Sequence, residues 1–134
     1  MKYQIIQFQQ HGDDRGQLVA LENGKEIPFE TKRVYYMYDT KTGVRRGFHA
    51  HKTLRQILIC TSGSCKIHLD DGKETAEVPL NKPYEGLLIE SNMWREMYDF
   101  SPDAVLMVLA SDMYDEKDYI RNYDEFLKYV GGKK

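Results

Sequence analysis

In the stretch VRRGFHAHKTLRQILIC, residues 44–60, two histidines stand one residue apart, and Arg45, Arg46 and Gly47 lead into them. A strand places residues i and i+2 on one face, so the His49 and His51 imidazoles project the same way. Such a pair has two chemical uses. With further nitrogen or carboxylate ligands it holds a transition metal. Without them, a pKa near neutrality suits it to accepting and returning protons. An arginine beside the pair argues against the metal, because a guanidinium is a permanent cation with no lone pair to donate. The expectation is that His49 and His51 do acid–base work.

Other residues extend that chemistry. In RVYYMYDT, Tyr35 and Met37 share one face of a strand and Tyr36 and Tyr38 the other, so one set or the other brings a phenol inside. Arg15 in DDRGQL, Arg33 at the head of the tyrosine strand, Arg46, and Arg95 in NMWREMYDF would together receive a phosphorylated ligand through bidentate hydrogen bonds. Trp94 and Tyr98 offer surfaces for stacking a base or sugar, or else pack in the core.

Something must hold these groups in place, and the sequence indicates strands. Runs such as YQIIQF, RQILIC, CKIHLD, TAEVPL, GLLIES and AVLMVLASD alternate with turn segments TSGS, DDGK, NKPYEG and SPD. Asp71-Gly72 between two alternating runs is a hairpin signal. About eight short strands at such spacing predict an all-β sandwich or barrel of jelly-roll type. Only the tail reads as helix: Tyr119, Tyr123, Phe126 and Val130 recur every three or four residues, which predicts a helix over 115–130 with Asp115 as its N-cap. With 134 residues and no linker or repeat, the chain is expected to form one domain, 1–134.

Composition narrows the partners. Nineteen basic and 21 acidic residues are interspersed, for a net charge of −2, so neither nucleic acid nor a membrane surface is an expected partner. No apolar run approaches the roughly 20 residues of a membrane span, and no leader segment is visible, so the expected compartment is the cytoplasm. Cys60 and Cys65 flank a turn and are expected to be reduced core thiols there.

Gly-x-His-x-His entering a strand of a small jelly roll resembles the cupins. In metal-binding cupins, that resemblance implies a Glu four or five residues after the pair and a third His from a later strand. Here those places hold Arg55 and Gln56, and then Trp94 or Arg95. The segments DDRGQLVALE, RRGFHAHKTLRQILIC, MWREMYDF and VLMVLASDMYDEKDYIRNYDEF more closely resemble the metal-free cupin 3,4-ketoisomerases of dTDP-4-keto-6-deoxy-D-glucose, over essentially the whole chain.

That resemblance implies a cupin-type double-stranded β-helix with a short C-terminal helix, no metal and no cofactor. It implies a carbonyl moved from C4 to C3 through an enediolate, with the product passed to an aminotransferase that makes a 3-amino-3,6-dideoxy sugar. His49 would be the base, His51 the proton shuttle and Tyr35 a hydrogen-bonding partner, with Arg46 binding or polarising an oxygen of the ligand; Arg15, Arg33, Arg95 and Trp94 are expected beside them as further ligand contacts. Relatives with Arg at the place of Arg15 favour a galacto over a gluco product, though some of these carry His where this chain has Arg95. The resemblance also implies a homodimer, with the N-terminal strand YQIIQFQQ able to exchange. The related 3,5-epimerases of dTDP sugars, which use a His–Asp pair and a Tyr, match less of the chain. Two further classes compete: a non-catalytic nucleotide-sugar-binding cupin, which needs no base, and a metal-dependent cupin, which the missing Glu and His disfavour.

Overall fold

In the computed structural model, which describes residues 1–131, twelve strands and one helix follow in order. They are β1 (Tyr3–Gln7), β2 (His11–Asp13), β3 (Gly16–Leu18), β4 (Arg33–Met37), β5 (Arg46–His51), β6 (Gln56–Ser62), β7 (Cys65–Asp70), β8 (Thr75–Leu80), β9 (Glu85–Ile89), β10 (Trp94–Tyr98), β11 (Val105–Ala110), β12 (Tyr119–Ile120) and α1 (Tyr123–Gly131). Residues 132–134 of the expected domain lie outside the described residues.

Two five-stranded antiparallel sheets, β1-β9-β6-β11-β4 and β12-β5-β10-β7-β8, face each other without closing into a barrel, and β2-β3 forms a separate hairpin. This is the cupin-type jelly roll. Within the single chain β1 pairs with β9, Tyr3 opposite Ile89.

Burial explains the strand patterns. β6 is the middle strand of its sheet and its first five residues, QILIC, are buried on both faces, hence its unbroken apolar run. Leu58 and Cys60 point inward with Leu87, Ile89, Leu106 and Val108, against Ile67, Leu69, Val78, Leu80 and Met97 of the other sheet. Outside, Ile57 and Ile59 are roofed by Phe8, Ile27 and Phe29 from the N-terminal segments. Each fully buried Leu or Ile contributes about 1.5–3 kcal/mol. β4 lies at an edge and alternates, so the open choice resolves: Tyr35 and Met37 pack inward, while Tyr36 and Tyr38 are exposed. The Asp71-Gly72 hairpin forms between β7 and β8, with Gly72 at φ 95° and the Asp71 N–H donating to Glu74 O. Both cysteines are free and buried, and the Cys60 thiol donates to Ser62 O at 3.1 Å.

The tail differs from its expectation. Asp115 does cap a turn, its side chain accepting from the Lys117 N–H, but the turn is a single 3-10 turn over Glu116–Asp118. The chain then extends as β12, pairing Tyr119 with His51 and Ile120 with Ala50. The α-helix starts only at Tyr123, with Asn122 as its N-cap: Asn122 Oδ1 accepts from the Glu125 N–H at 3.0 Å. Phe126 carries its buried stripe onto Ala50, Trp94 and Ile120. The periodicity misleads at Tyr119 because its spacing to Tyr123 fits a helix, whereas a vacant edge of β5 captures the segment as a strand.

Candidate active site

One end of the space between the sheets opens as a cleft of ≈ 360 Å³ lined by Arg33, Tyr35, Met37, Arg46, Gly47, His49, Met97, Tyr119 and Arg121. Its floor is built on β5, and β5 is irregular. The ladder to β10 slips by one residue, so that Arg95 faces His49 while the adjacent Glu96 faces Gly47. Phe48 is the extra residue, at φ 57°, next to Gly47 at φ 94°. A bulge of this kind re-aims side chains. Simple alternation would put Arg46 and His49 on opposite faces; the extra residue brings Arg46, His49 and His51 to the same inner face, above Arg95 and Met97. Gly47 is required there, since a Cβ would meet Arg95 O and Met97 Sδ at 2.9 Å.

The two histidines are not equivalent. His49 is 8% exposed at the cleft surface, and His51 lies beneath it with no exposed surface. Their rings are 5.0 Å apart and nearly perpendicular. His51 Nδ1 is 3.0 Å from Asp118 Oδ2. The other carboxylate oxygen of Asp118 accepts from the Thr53 N–H at 2.8 Å and the Thr53 hydroxyl at 2.9 Å. A carboxylate held this way takes the Nδ1 proton as its hydrogen-bond donor and leaves Nε2 with a free lone pair. That Nε2 is buried and has no partner among the described residues. Tyr119 closes over the pair, its ring 5.1 Å from His49 and 4.4 Å from His51. Burial first, then the charge of Arg95, push the His49 pKa down to about 4 and that of His51 to about 2. Both rings are therefore neutral at neutral pH, as a base must be before it acts.

Arg95 is buried with no exposed surface. Its hydrogen bonds all end on uncharged acceptors: Nη1 donates to Gln56 Oε1 at 2.5 Å, and Nη2 and Nε donate to Met93 O at 2.9 and 3.3 Å. Burial lowers its pKa to about 10, which still leaves it charged. A cation held under two imidazoles without a carboxylate of its own is arranged to meet negative charge that arrives with, or develops on, a ligand. Tyr35, on β4, accepts from Gln56 Nε2 at 3.0 Å, and burial raises its pKa, so it stays a phenol.

The cleft wall is cationic. The Arg46 side chain makes no hydrogen bond or ion pair among the described residues and is exposed. Arg33 stacks over Tyr35 at 4.9 Å, and its buried Nε has no partner among the described residues. Arg121 stacks over Tyr119 at 4.2 Å while paired with Glu116. Among the described residues no three His, Cys, Asp or Glu side chains gather where they could hold a metal ion.

Of the site residues read from the sequence, His49, His51, Tyr35, Arg33, Arg46 and Arg95 come together here. Arg95 does so from beneath, as a buried charge rather than a surface contact. Two do not join them in this chain. Arg15 sits at the tip of the β2-β3 hairpin, fixed to Asp13 at 2.7 Å and exposed. Trp94, adjacent to Arg95 on β10, necessarily points to the opposite face; it packs on Tyr123 and Phe126 and donates to Glu96 Oε2. Sequence reasoning missed Asp118, Tyr119, Arg121 and Gln56. The first three were assigned to a helix that starts later, and Gln56 was noted only as the absence of a metal-ligating Glu.

A family model described as "FdtA: WxcM-like, C-terminal" matches residues 1–131. The TDP-4-oxo-6-deoxy-alpha-D-glucose-3,4-oxoisomerase of Aneurinibacillus thermoaerophilus is 55% identical over 130 residues, 97% of this chain and 94% of that protein. The WlaRB TDP-quinovose 3,4-ketoisomerase of Campylobacter jejuni superposes with TM-score 0.90 at 57% identity, covering 94% of this chain and 97% of that one. The sugar 3,4-ketoisomerase QdtA of Thermoanaerobacterium thermosaccharolyticum, solved in complex with TDP, superposes with TM-score 0.96 at 44% identity, covering 98% and 96%. A neutral imidazole bared in a cationic cleft of a jelly roll matched along its length by such relatives places the chain in the FdtA family, as an isomerase of the 3,4-ketoisomerase kind that acts on TDP-linked sugars.

Proposed function

We propose that the protein converts dTDP-4-keto-6-deoxy-D-glucose into its 3-keto isomer by histidine acid–base catalysis, without a metal or cofactor. The observation that carries this is His49: an unprotonated imidazole at the cleft surface, above a buried cation and among three arginines. The 4-keto group acidifies the hydrogen on C3. His49 removes that proton, and the C3–H electron pair becomes the C3–C4 double bond of an enediolate whose charge falls on O4. A proton is delivered to O4, the O3–H proton is withdrawn, and C4 is protonated as C3=O forms, so no atom is gained or lost. His51, with its free Nε2 and its Nδ1–H on Asp118, serves as the second proton carrier, and the carboxylate stabilises it whenever it becomes imidazolium. Tyr35 hydrogen-bonds at the reacting oxygens. Arg33 and Arg46 take the diphosphate or sugar oxygens. Fixed donors and a buried cation facing a developing oxyanion are the largest single contribution such a site can make.

The product, on this reading, is consumed by an aminotransferase making a 3-amino-3,6-dideoxy sugar, in the cytoplasm, and the working unit is a homodimer. No described helix is long and apolar enough to cross a membrane. Arg15 favours the galacto product. A second reading, the gluco product, is favoured by the likeness to the Campylobacter enzyme, whose quinovose is gluco-configured, and by Arg95 where some galacto relatives carry His.

Proton NMR of the substrate with metal-stripped enzyme in D₂O tests the metal-free reaction and its stereochemistry. A 3-keto product with deuterium at C4 is expected, and the C4 coupling constants assign galacto or gluco. Exchange at C3 or C5 with the carbonyl still at C4 would indicate epimerase chemistry, and an unchanged substrate would indicate a binding module.

A further inference from the structure

Gln56 is a buried amide on β6 that does not line the cleft, yet it bridges the two sheets: Arg95 on one side, Tyr35 on the other. A guanidinium can only donate, so the amide atom 2.5 Å from Arg95 Nη1 must be the carbonyl oxygen. The atom 3.0 Å from the Tyr35 oxygen is then the NH₂, which can only donate. Tyr35 is thereby the acceptor of this bond. Its own O–H is left over, and Tyr35 lines the cleft.

We infer that Gln56 is a positioning residue for the isomerisation: by accepting from Arg95 it fixes its own orientation, and by donating to Tyr35 it forces the phenol to present its O–H to the ligand rather than its lone pairs alone. This rests on the ketoisomerase reading above. The fixed charge of Arg95 thus sets the direction of a hydrogen-bond chain that ends on the reacting oxygens, and the phenol meets an enediolate already oriented as a donor. The same chain acts in a second way. Polarised by the guanidinium, the amide strengthens the phenol as a donor.

The test uses two substitutions that reverse each other's ranking. Gln56→Glu keeps an acceptor for Arg95 and strengthens it, but has only lone pairs to offer Tyr35; the phenol then turns its proton toward the carboxylate and away from the cleft. Gln56→Met removes both bonds, leaving Arg95 short of an acceptor but Tyr35 free to donate to the ligand. Thermal stability is expected to follow Gln56→Glu above Gln56→Met, while kcat follows the opposite order. Gln56→Glu should lose about 10²-fold, as for removal of one preorganised donor, with KM little changed. In a Tyr35→Phe background Gln56→Glu should cost less than a further threefold or so, because the donor it misdirects is already gone. If Gln56 only stabilises the fold, kcat will rank with stability, and its substitution will act alike with and without Tyr35; either result overturns the inference.

Failure of the wild type to isomerise the substrate would instead sink the functional reading. The polarity then has its own readout, the ¹³Cζ resonance of Tyr35, identified by its loss in Tyr35→Phe. Its titration should move to higher pH in Gln56→Glu, and an unmoved titration would overturn the inference independently of activity.

Discussion

The interior between the two sheets has two ends built from the same strands. On β6, Gln56, Leu58 and Cys60 point the same way, and on β10 so do Arg95 and Met97. Within one or two residues along each strand the contents change from hydrocarbon to a guanidinium, an amide, a phenol and two imidazoles. Leu58, Ile67, Leu69, Leu87 and Ile89 are fully buried and need nothing but neighbours. At the other end Arg95 and His51 are just as buried, and each polar atom needs a named partner or a ligand. The closed end holds the fold together. The open end draws on that stability to keep two imidazoles neutral and a cation dry, which is what proton abstraction requires.

That contrast can be broken from either side. His49→Asn should lower turnover about 10²–10⁴-fold, the usual worth of a general base, with the melting transition little changed; a loss below tenfold would remove His49 as the base. Leu58→Ala, two residues from Gln56 on the same face, should cost about 2–5 kcal/mol of stability yet leave kcat and KM intact well below its transition. Denaturant melts paired with kinetics would check this, and a large kcat loss would mean that the two ends are coupled.

Acid sharpens the comparison. The unfolded chain takes up a proton on each histidine near pH 6.5, while the folded state resists down to about 4 for His49 and about 2 for His51. Below pH 6.5 the unfolded state therefore binds more protons, and stability falls as pH falls. Each histidine contributes about 1.4 kcal/mol per pH unit until its folded pKa is reached. Chemical denaturation between pH 7 and 4.5 should show this slope, and it should diminish in His49→Asn. Over that range kcat/KM should not titrate near 6.5, because the free enzyme's base is already neutral. The smallest effect concerns the cap: Asn122→Ala should cost about 1 kcal/mol and, by loosening the segment that carries Asp118 and Tyr119, should show in activity sooner than a cap on a remote helix would. Hydrogen exchange at Tyr119 and Ile120 would follow it.

The sequence carried more of the closed end than of the open one. Alternation and turn residues suffice for the hairpins, because each strand's pattern records which face meets oil. The shared face of His49 and His51 was legible for the same reason. The Asp118 partnership was not: it depends on β12 finding the edge of β5, a contact made 67 residues apart in sequence. Nor was the placement of Trp94, read as a ligand contact beside Arg95, although strictly alternating neighbours on β10 cannot both face the cleft. Arg15 shows a different gap, since its hairpin stays outside the two main sheets and no local pattern says where a free hairpin points.

Phe48 gives the bulge on β5 a meaning beyond geometry. Its side chain is turned outward and 43% exposed, so almost any residue could stand there as far as packing is concerned. What matters is that the ladder skips it. Like a silent letter, it works by being passed over: straighten the strand so that Phe48 takes a place in the ladder, and Arg46 and the histidines fall into opposite phase although every functional residue is still present. Two strands of this same sequence could differ only in whether Phe48 is left out of the ladder, and only one of them would have an assembled site.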